Sequence, residues 1–268
     1  MTALLSAPPL LRYRNLIWNF AQRDLKARFK GTAMGWAWSL LLPLATLLTY
    51  TLAGHYLFRF HAPPFGNGRS GNFAVWLFCG LTAWGIFANG LNTAIGSLLA
   101  SGPLLQKIYF PAYAPVLGAL VGVAIQSLIE VGLVLVVLAA FGNVGLTWAL
   151  VPFWLLIFFT FVAALSLPLS IANVYFRDLA HFVAVSLQLL IYATPIIYPD
   201  TQITNQTMHR LIMSNPLSQF VVLFRDLVYG LSPGDLKSWA YVIAWTLALV
   251  VVSVAVYARF SGDLSERV

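Results

Sequence analysis

The chain predicts an all-α protein that crosses a membrane several times, and three observations predict it. First, charge vanishes over long runs: no Asp, Glu, Lys or Arg occurs from Thr32 to Phe58, Ser70 to Gln106, Val131 to Phe176 or Ser238 to Ala258. A helix of about 20 apolar residues spans a hydrocarbon core of roughly 30 Å, and each run reaches that length. Second, 9% of the 268 residues are charged and 60% are hydrophobic, where a soluble domain carries about a quarter charged residues. Third, six of the fifteen basic residues (Arg12, Arg14, Arg23, Lys26, Arg28, Lys30) precede the first apolar run. Cations beside a span mark cytoplasmic topology and lipid headgroups, so the net charge of +7 does not point to nucleic acid.

Taken in order, residues 10–30 form a basic amphipathic stretch. Tyr13, Ile17, Ala21, Leu25 and Phe29 recur every fourth residue with cations between them. This pattern predicts an N-terminal helix lying in the headgroup plane, apolar stripe toward the lipid, either as an anchor alone or also as a cradle for a cytoplasmic partner. Spans are expected at 35–58, 72–96, 112–141, 147–173, 179–198 and 239–258. Gly142-Asn-Val-Gly145 and Phe176-Arg-Asp178 are the short turns. With the N-terminus inside, cytoplasmic segments hold ten cations and external ones five, which obeys the positive-inside rule and puts both termini in the cytoplasm. The alternative is five spans with one run buried in protein. The basic segment and the apolar run after it are both too long for a secretory signal, and no cleavage site follows.

Two further segments do not simply cross. In 97–111, Gly102-Pro103 breaks the second helix, Pro103 suits the first turn of a new short one, and Pro111 stops it. Such a helix cannot bury its own apolar face and needs a groove on another protein; the plain alternative is a connecting loop. In the external segment 199–238, Asn215-Pro216 starts a helix, with Leu217, Phe220, Val221, Phe224, Val228 and Leu231 at helical spacing and Gly230 and Ser232-Pro-Gly234 ending it. Its length, about 15 residues, suits a re-entrant or interfacial helix.

No catalytic constellation emerges. The eight acids are scattered, His55, His61, His181 and His209 lack metal spacing, and Cys79 is the only cysteine. No G-x-x-x-x-G-K-[ST] phosphate loop occurs, so transport powered by ATP would need another subunit. Glu130 lies deep in a span. It is either a functional ionisable group or a structural one bonded to Gln126, Ser127 or another helix. The many aromatic residues, Trp36, Trp38, Tyr50 and Phe87 among them, form either an interfacial belt with core packing or a lining on which sugar rings stack.

Five segments resemble, in order, the polysaccharide-exporting permeases of type-2 ABC exporters. Arg23-Asp-Leu-Lys-Ala-Arg-Phe-Lys-Gly-Thr-Ala-Met-Gly-Trp-Ala-Trp-Ser-Leu-Leu-Leu-Pro43 is similar to their opening, with Thr32 and Met34 where Ser and Leu are common. Gln106-Lys-Ile-Tyr-Phe-Pro111, Asn173-Val-Tyr-Phe-Arg-Asp178, Thr194-Pro-Ile-Ile-Tyr-Pro199 and Asn215-Pro-Leu217 match their later motifs. The resemblance implies a single transmembrane domain over 1–268 that exports O-antigen, galactan, teichoic acid or a similar lipid-linked glycan across the bacterial inner membrane. It implies a homodimer with two copies of a separate ATPase, which holds ATP and Mg; no cofactor is expected on this chain, and it is not itself an enzyme. The helix at 103–111 becomes a coupling helix, with Leu104, Leu105, Gln106, Lys107, Ile108, Tyr109 and Phe110 facing the ATPase. Arg28, Lys30 and Arg177 are expected to meet the lipid phosphate, and the segment after Pro199 to gate the exit. Export of a small lipid or drug is the alternative within the family. A membrane-embedded glycan-processing enzyme is the alternative in kind, but it calls for clustered acids or His at one membrane face.

Overall fold

The computed structural model describes residues 13–29, 34–52, 62–105 and 110–260, and every regular element among them is helical. In chain order these are α1 (Arg14–Phe29), α2 (Trp38–Leu52), α3 (Phe73–Ala100), α4 (Gly102–Leu105), α5 (Tyr113–Ala140), α6 (Val151–Tyr175), α7 (Leu179–Leu190), α8 (Gln206–Met213), α9 (Pro216–Val228) and α10 (Leu236–Phe260). Four of them, α3, α5, α6 and α10, are long and apolar enough to cross a bilayer; α8 with α9 would make a fifth if that pair, bent by 87°, were one span. The second, third, fourth and sixth expected spans therefore have their helices. The described part of the first, α2, has 15 residues; 53–58 lie outside the described residues.

The fifth expected span, 179–198, is helical only over its first 12 residues. That is about 18 Å at 1.5 Å per residue, short of a crossing. Proline supplies the reason. Pro195 has no N–H for a helix and disfavours helical backbone at Thr194, so the chain turns over 191–198 instead.

α3 is the central element. It packs against α5, α6, α9, α2 and α7, while α10 lies outside α6 and α9. Small residues set the close crossings. At Gly90 an added Cβ would lie 2.6 Å from Val162 Cγ1, and at Gly118 it would meet the Cβ of Phe20. The main core joins α3, α5, α6 and α9, with Trp154, Phe158, Phe220 and Phe224 fully buried as a stack of rings, Trp154 and Phe224 4.6 Å apart at their centroids. A second cluster, of Phe20, Leu98, Phe110, Tyr113, Ile171 and Val174, closes the end where α1 sits. Leu128, Val136, Leu156, Leu247 and Val251 are exposed, the usual state of a bilayer-facing surface.

α1 departs from its expectation. Its stripe of Ile17, Phe20, Ala21 and Leu25 does not face outward but packs on α5 along Gly118 and Gly122. The two glycines lie one turn apart and leave a trough without side chains, so the helix buries its apolar face on protein. Trp18 stays 48% exposed on the other side.

Candidate functional site

Three regions carry the residues of interest. The first is the end of the molecule near α4. α3 closes at Ser101, whose hydroxyl donates to the Ser97 carbonyl at 2.9 Å. Arg23 of α1 donates to the same Ser101 oxygen at 3.3 Å and lies 4.9 Å from the centre of the Phe20 ring. α4 follows at once; Leu104 is exposed at its tip, and Leu105 completes the helix. Gln106, Lys107, Ile108 and Tyr109 lie outside the described residues. Phe110 is 5% exposed, with its ring 5.4 Å from that of Phe20. Of the seven residues expected to face a partner, Phe110 is thus packed inside the chain, against α1. Tyr13 meets Tyr113 edge-on at 6.4 Å. Phe110, α1 and the start of α5 form one packed block.

The motif ending α6 belongs to the same block. Asn173 is 2% exposed; its Nδ2 donates to the Ile95 carbonyl of α3 at 3.3 Å, and its Oδ1 accepts the Ala180 N–H at the start of α7 at 3.1 Å. Arg177 is exposed on the turn that follows. Of the other two expected phosphate-side cations, Arg28 is in the last turn of α1 and Lys30 lies outside the described residues.

The second region is a cavity of about 380 Å³ between α2, α3 and α5, lined by Pro43, Phe78, Thr82, Trp84, Asn89, Gln126 and Glu130, among others. Glu130 is 6% exposed and accepts a 3.3 Å hydrogen bond from Gln126 Nε2, one turn earlier on the same helix. This is one of the structural bonds expected for it. Gly85 of α3 faces the carboxylate; a Cβ there would stand 3.6 Å from Glu130 Oε2, in ordinary contact. The aromatic residues expected to line a path divide. Phe87 is buried against Phe161 in the core, Trp38 is exposed on α2, and Trp36 and Tyr50 lie on the 3₁₀ turn before α2 and on α2 itself.

The third region surrounds α9. Asn215 caps it as expected, its Oδ1 accepting the Leu217 N–H at 3.0 Å with Pro216 in the first turn. The other end of that amide reaches Thr194 Oγ1 at 3.4 Å, which joins two of the recognisable motifs. The helix ends at Val228, two residues before Gly230. Leu231, not Gly230, adopts positive φ (51°), while Gly66 lets the backbone of Gly230 approach. Carbonyls on α9 are taken up by its neighbours: Trp154 Nε1 donates to Phe220 O at 3.1 Å and Thr147 Oγ1 to Leu227 O at 2.7 Å. Asn143, in the predicted α5–α6 turn, donates to Val228 O and Tyr229 O at 3.1 and 2.9 Å.

Arg225 reads in the sequence only as an external cation. In the structure it is buried at 7% exposure. It stacks 3.5 Å over the Trp76 ring and donates from Nε to Trp76 O at 3.3 Å, from Nη2 to Ile196 O at 2.5 Å and from Nη1 to Pro195 O. Gly80 of α3 faces the guanidinium. One signal was available: Arg225 stands four residues after Val221 and three before Val228, on the apolar stripe of its own helix.

Among the described residues no group of three or more His, Cys, Asp or Glu side chains could hold a metal. The three regions are thus a packed block, a chamber and a clamp. Comparison with known proteins identifies the family. The family signature described as "ABC-2 type transporter" matches residues 15–229. A Myxococcus xanthus protein named "O-antigen export system permease protein RfbA" is 28% identical over 262 residues, covering 97% of both chains. A Klebsiella pneumoniae protein of the same name is 27% identical over 248 residues, covering 91% of both. Matched over most of its length, and built of apolar helices able to cross a bilayer, this chain belongs to the ABC-2 type transporter family.

Proposed function

We propose that this chain is the membrane-spanning permease subunit of an ATP-driven exporter that moves a lipid-linked polysaccharide out across the bacterial cytoplasmic membrane. The observation that carries the reading is the end-to-end similarity to proteins named as O-antigen export permeases, 97% of each chain for the Myxococcus protein. Two copies form the conduit, and two copies of a separate ATPase hold ATP and Mg. Both termini are cytoplasmic and six segments cross, with α2 extended through 53–58, α7 completed by the turns after Leu190, and α8–α9 re-entrant at the outer face.

The segment 103–111 receives the power stroke. Closure of the ATPase pair pushes on Leu104 to Tyr109, and the buried Phe110–Phe20 contact supports transmission to α1 and α5 together. Packed interfaces of this kind shift as rigid bodies, and ATP drives the shift only by binding one state more tightly than the other. Arg28, Lys30 and Arg177 meet the lipid pyrophosphate, which calls for charge-assisted donors.

Co-expression with its ATPase tests the assignment. A stable complex whose ATPase activity is stimulated by lipid-linked glycan is expected, and Lys107→Ala or Tyr109→Ala should leave ATP hydrolysis running while export falls. Glycan export by the permease alone would refute the reading, as would intact coupling in both variants.

A further inference from the structure

The chamber between α2, α3 and α5 lies midway along two helices long enough to cross a bilayer, and polar side chains line part of it. Thr82 to Asn89 occupy the middle of the 28-residue α3, and Gln126 and Glu130 the middle of the 28-residue α5. On α3, Thr82, Gly85, Asn89, Asn92 and Gly96 follow one another at three- and four-residue steps and share a face. Asn89 and Asn92 are exposed there. Polar side chains at that depth do not face hydrocarbon; they face protein or a water-filled cavity.

Thr82 adds an independent observation. Thr49, Thr160, Thr194 and Thr246 each donate their hydroxyl back to the carbonyl four residues earlier, at 2.7–2.9 Å. Thr82 does not. It is 2% exposed, borders the chamber, and its buried Oγ1 has no hydrogen-bond partner. The chamber is therefore bordered by a threonine with an unpartnered hydroxyl, two residues with carboxamides and one with a carboxyl, beside the half-buried Trp84.

This donor set selects its ligand. A cation would need oxygen acceptors only, and the chamber holds a single carboxyl. Carboxamides and a hydroxyl offer donors and acceptors together, which suits a ligand whose groups both donate and accept. A flat aromatic wall suits the C–H face of a ring. The volume, about 380 Å³, lies within the span of about 300–1,000 Å³ typical of small-molecule sites. We propose that this chamber opens on the conduit and holds one sugar ring of the exported chain, with Trp84 as the stacking platform and Thr82, Asn89, Gln126 and Glu130 as hydroxyl partners. The proposal rests on the export function above and places the glycan, rather than its lipid, at this position.

The test uses the complete permease–ATPase complex in liposomes. The parent chain is the blank, because its one thiol, Cys79, is buried. Asn89→Cys is expected to react with a water-soluble maleimide at least tenfold faster than Leu128→Cys, which lies on the apolar outer face of α5. Lipid-linked glycan is expected to slow that labelling about fivefold, whereas the same lipid pyrophosphate without sugar does not. Trp84→Leu is expected to raise the glycan concentration for half-maximal export about fivefold, with a smaller effect on the maximal rate. The proposal is overturned if Asn89→Cys labels no faster than Leu128→Cys, if it forms a disulfide between two copies, or if glycan gives no protection in a preparation that exports it. A parent complex that exports no glycan would overturn the functional reading as well.

Discussion

Replacing Arg225 by Met should loosen the outer end of the bundle. The guanidinium links α9 to the carbonyls of Pro195 and Ile196, and it also caps the Trp76 ring. Met fills much of the same volume but donates nothing. Two buried carbonyls then lose their donor, at about 1–3 kcal/mol each, and the cation–π contact, worth about 1–2 kcal/mol, is lost. Relief from burying a cation, several kcal/mol in itself, offsets part of this. A net loss of about 3 kcal/mol follows. At about 2–4 °C per kcal/mol for a chain of this size, the unfolding midpoint in detergent should fall by about 6–12 °C. A second readout is local: Cys79, 0% exposed and next in sequence to Gly80, where the guanidinium rests, should become reactive to maleimide. Arg225→Lys should recover less than half of the loss, because an ammonium group neither stacks flat nor reaches three diverging carbonyls. If Arg225→Met unfolds within about 2 °C of the parent and Cys79 stays unreactive, the clamp assigned here is wrong.

Other expectations follow from close approaches and buried amides. Gly118→Leu should displace α1, since a Cβ there already meets Phe20 and stands 2.9 Å from the Ile17 carbonyl; a cost of about 1–3 kcal/mol is expected, read as faster tryptic cleavage at Arg23 and Lys26. Gly90→Ala should destabilise through Val162, and Val162→Ala in the same chain should restore at least half the lost midpoint, a coupling that single substitutions cannot show. Asn143→Ala should cost about 2–4 kcal/mol, as it removes two donated bonds to the end of α9 and the acceptor for the Asn67 N–H at 3.2 Å; Asn143→Asp should do no better by thermal unfolding, because a carboxylate cannot donate.

Much of this architecture was legible in the sequence because bilayer-spanning helices are written in composition. The charge-free runs located α3, α5, α6 and α10, and the Asn-Pro step located the start of α9 to the residue. What failed to show has physical causes. A twelve-residue helix followed by Thr-Pro looks apolar enough to cross, yet proline stops it. The stripe of α1 is the same whether it faces lipid or a glycine trough on α5, because both are apolar. Arg225 and Thr82 owe their meaning to partners far away in sequence, Arg225 to Pro195 and Ile196, and Thr82 to a chamber shared by three helices. Periodicity reports which face is apolar, not what lies against it.

Several residues of the recognisable motifs serve as joints. Asn173 bonds the Ile95 carbonyl of α3 and an amide of α7; Thr194 and Asn215 bond each other; the carbonyls of Pro195 and Ile196 hold Arg225; Phe110 seats on Phe20. Two of these joints reach α3, Asn173 at Ile95 near one end and Arg225 at Trp76 near the other, and Arg23 adds a third attachment at Ser101, the C-cap of α3. A helix fastened at both ends cannot change its tilt at one without changing the other. Displacement of α4 at the tip of α3 would therefore reach the clamp around α9, about 40 Å away along a helix of 28 residues at 1.5 Å per residue. Midway between these attachments lies the polar chamber, walled by α3 itself, so one helix touches the α4 end, the chamber and the clamp.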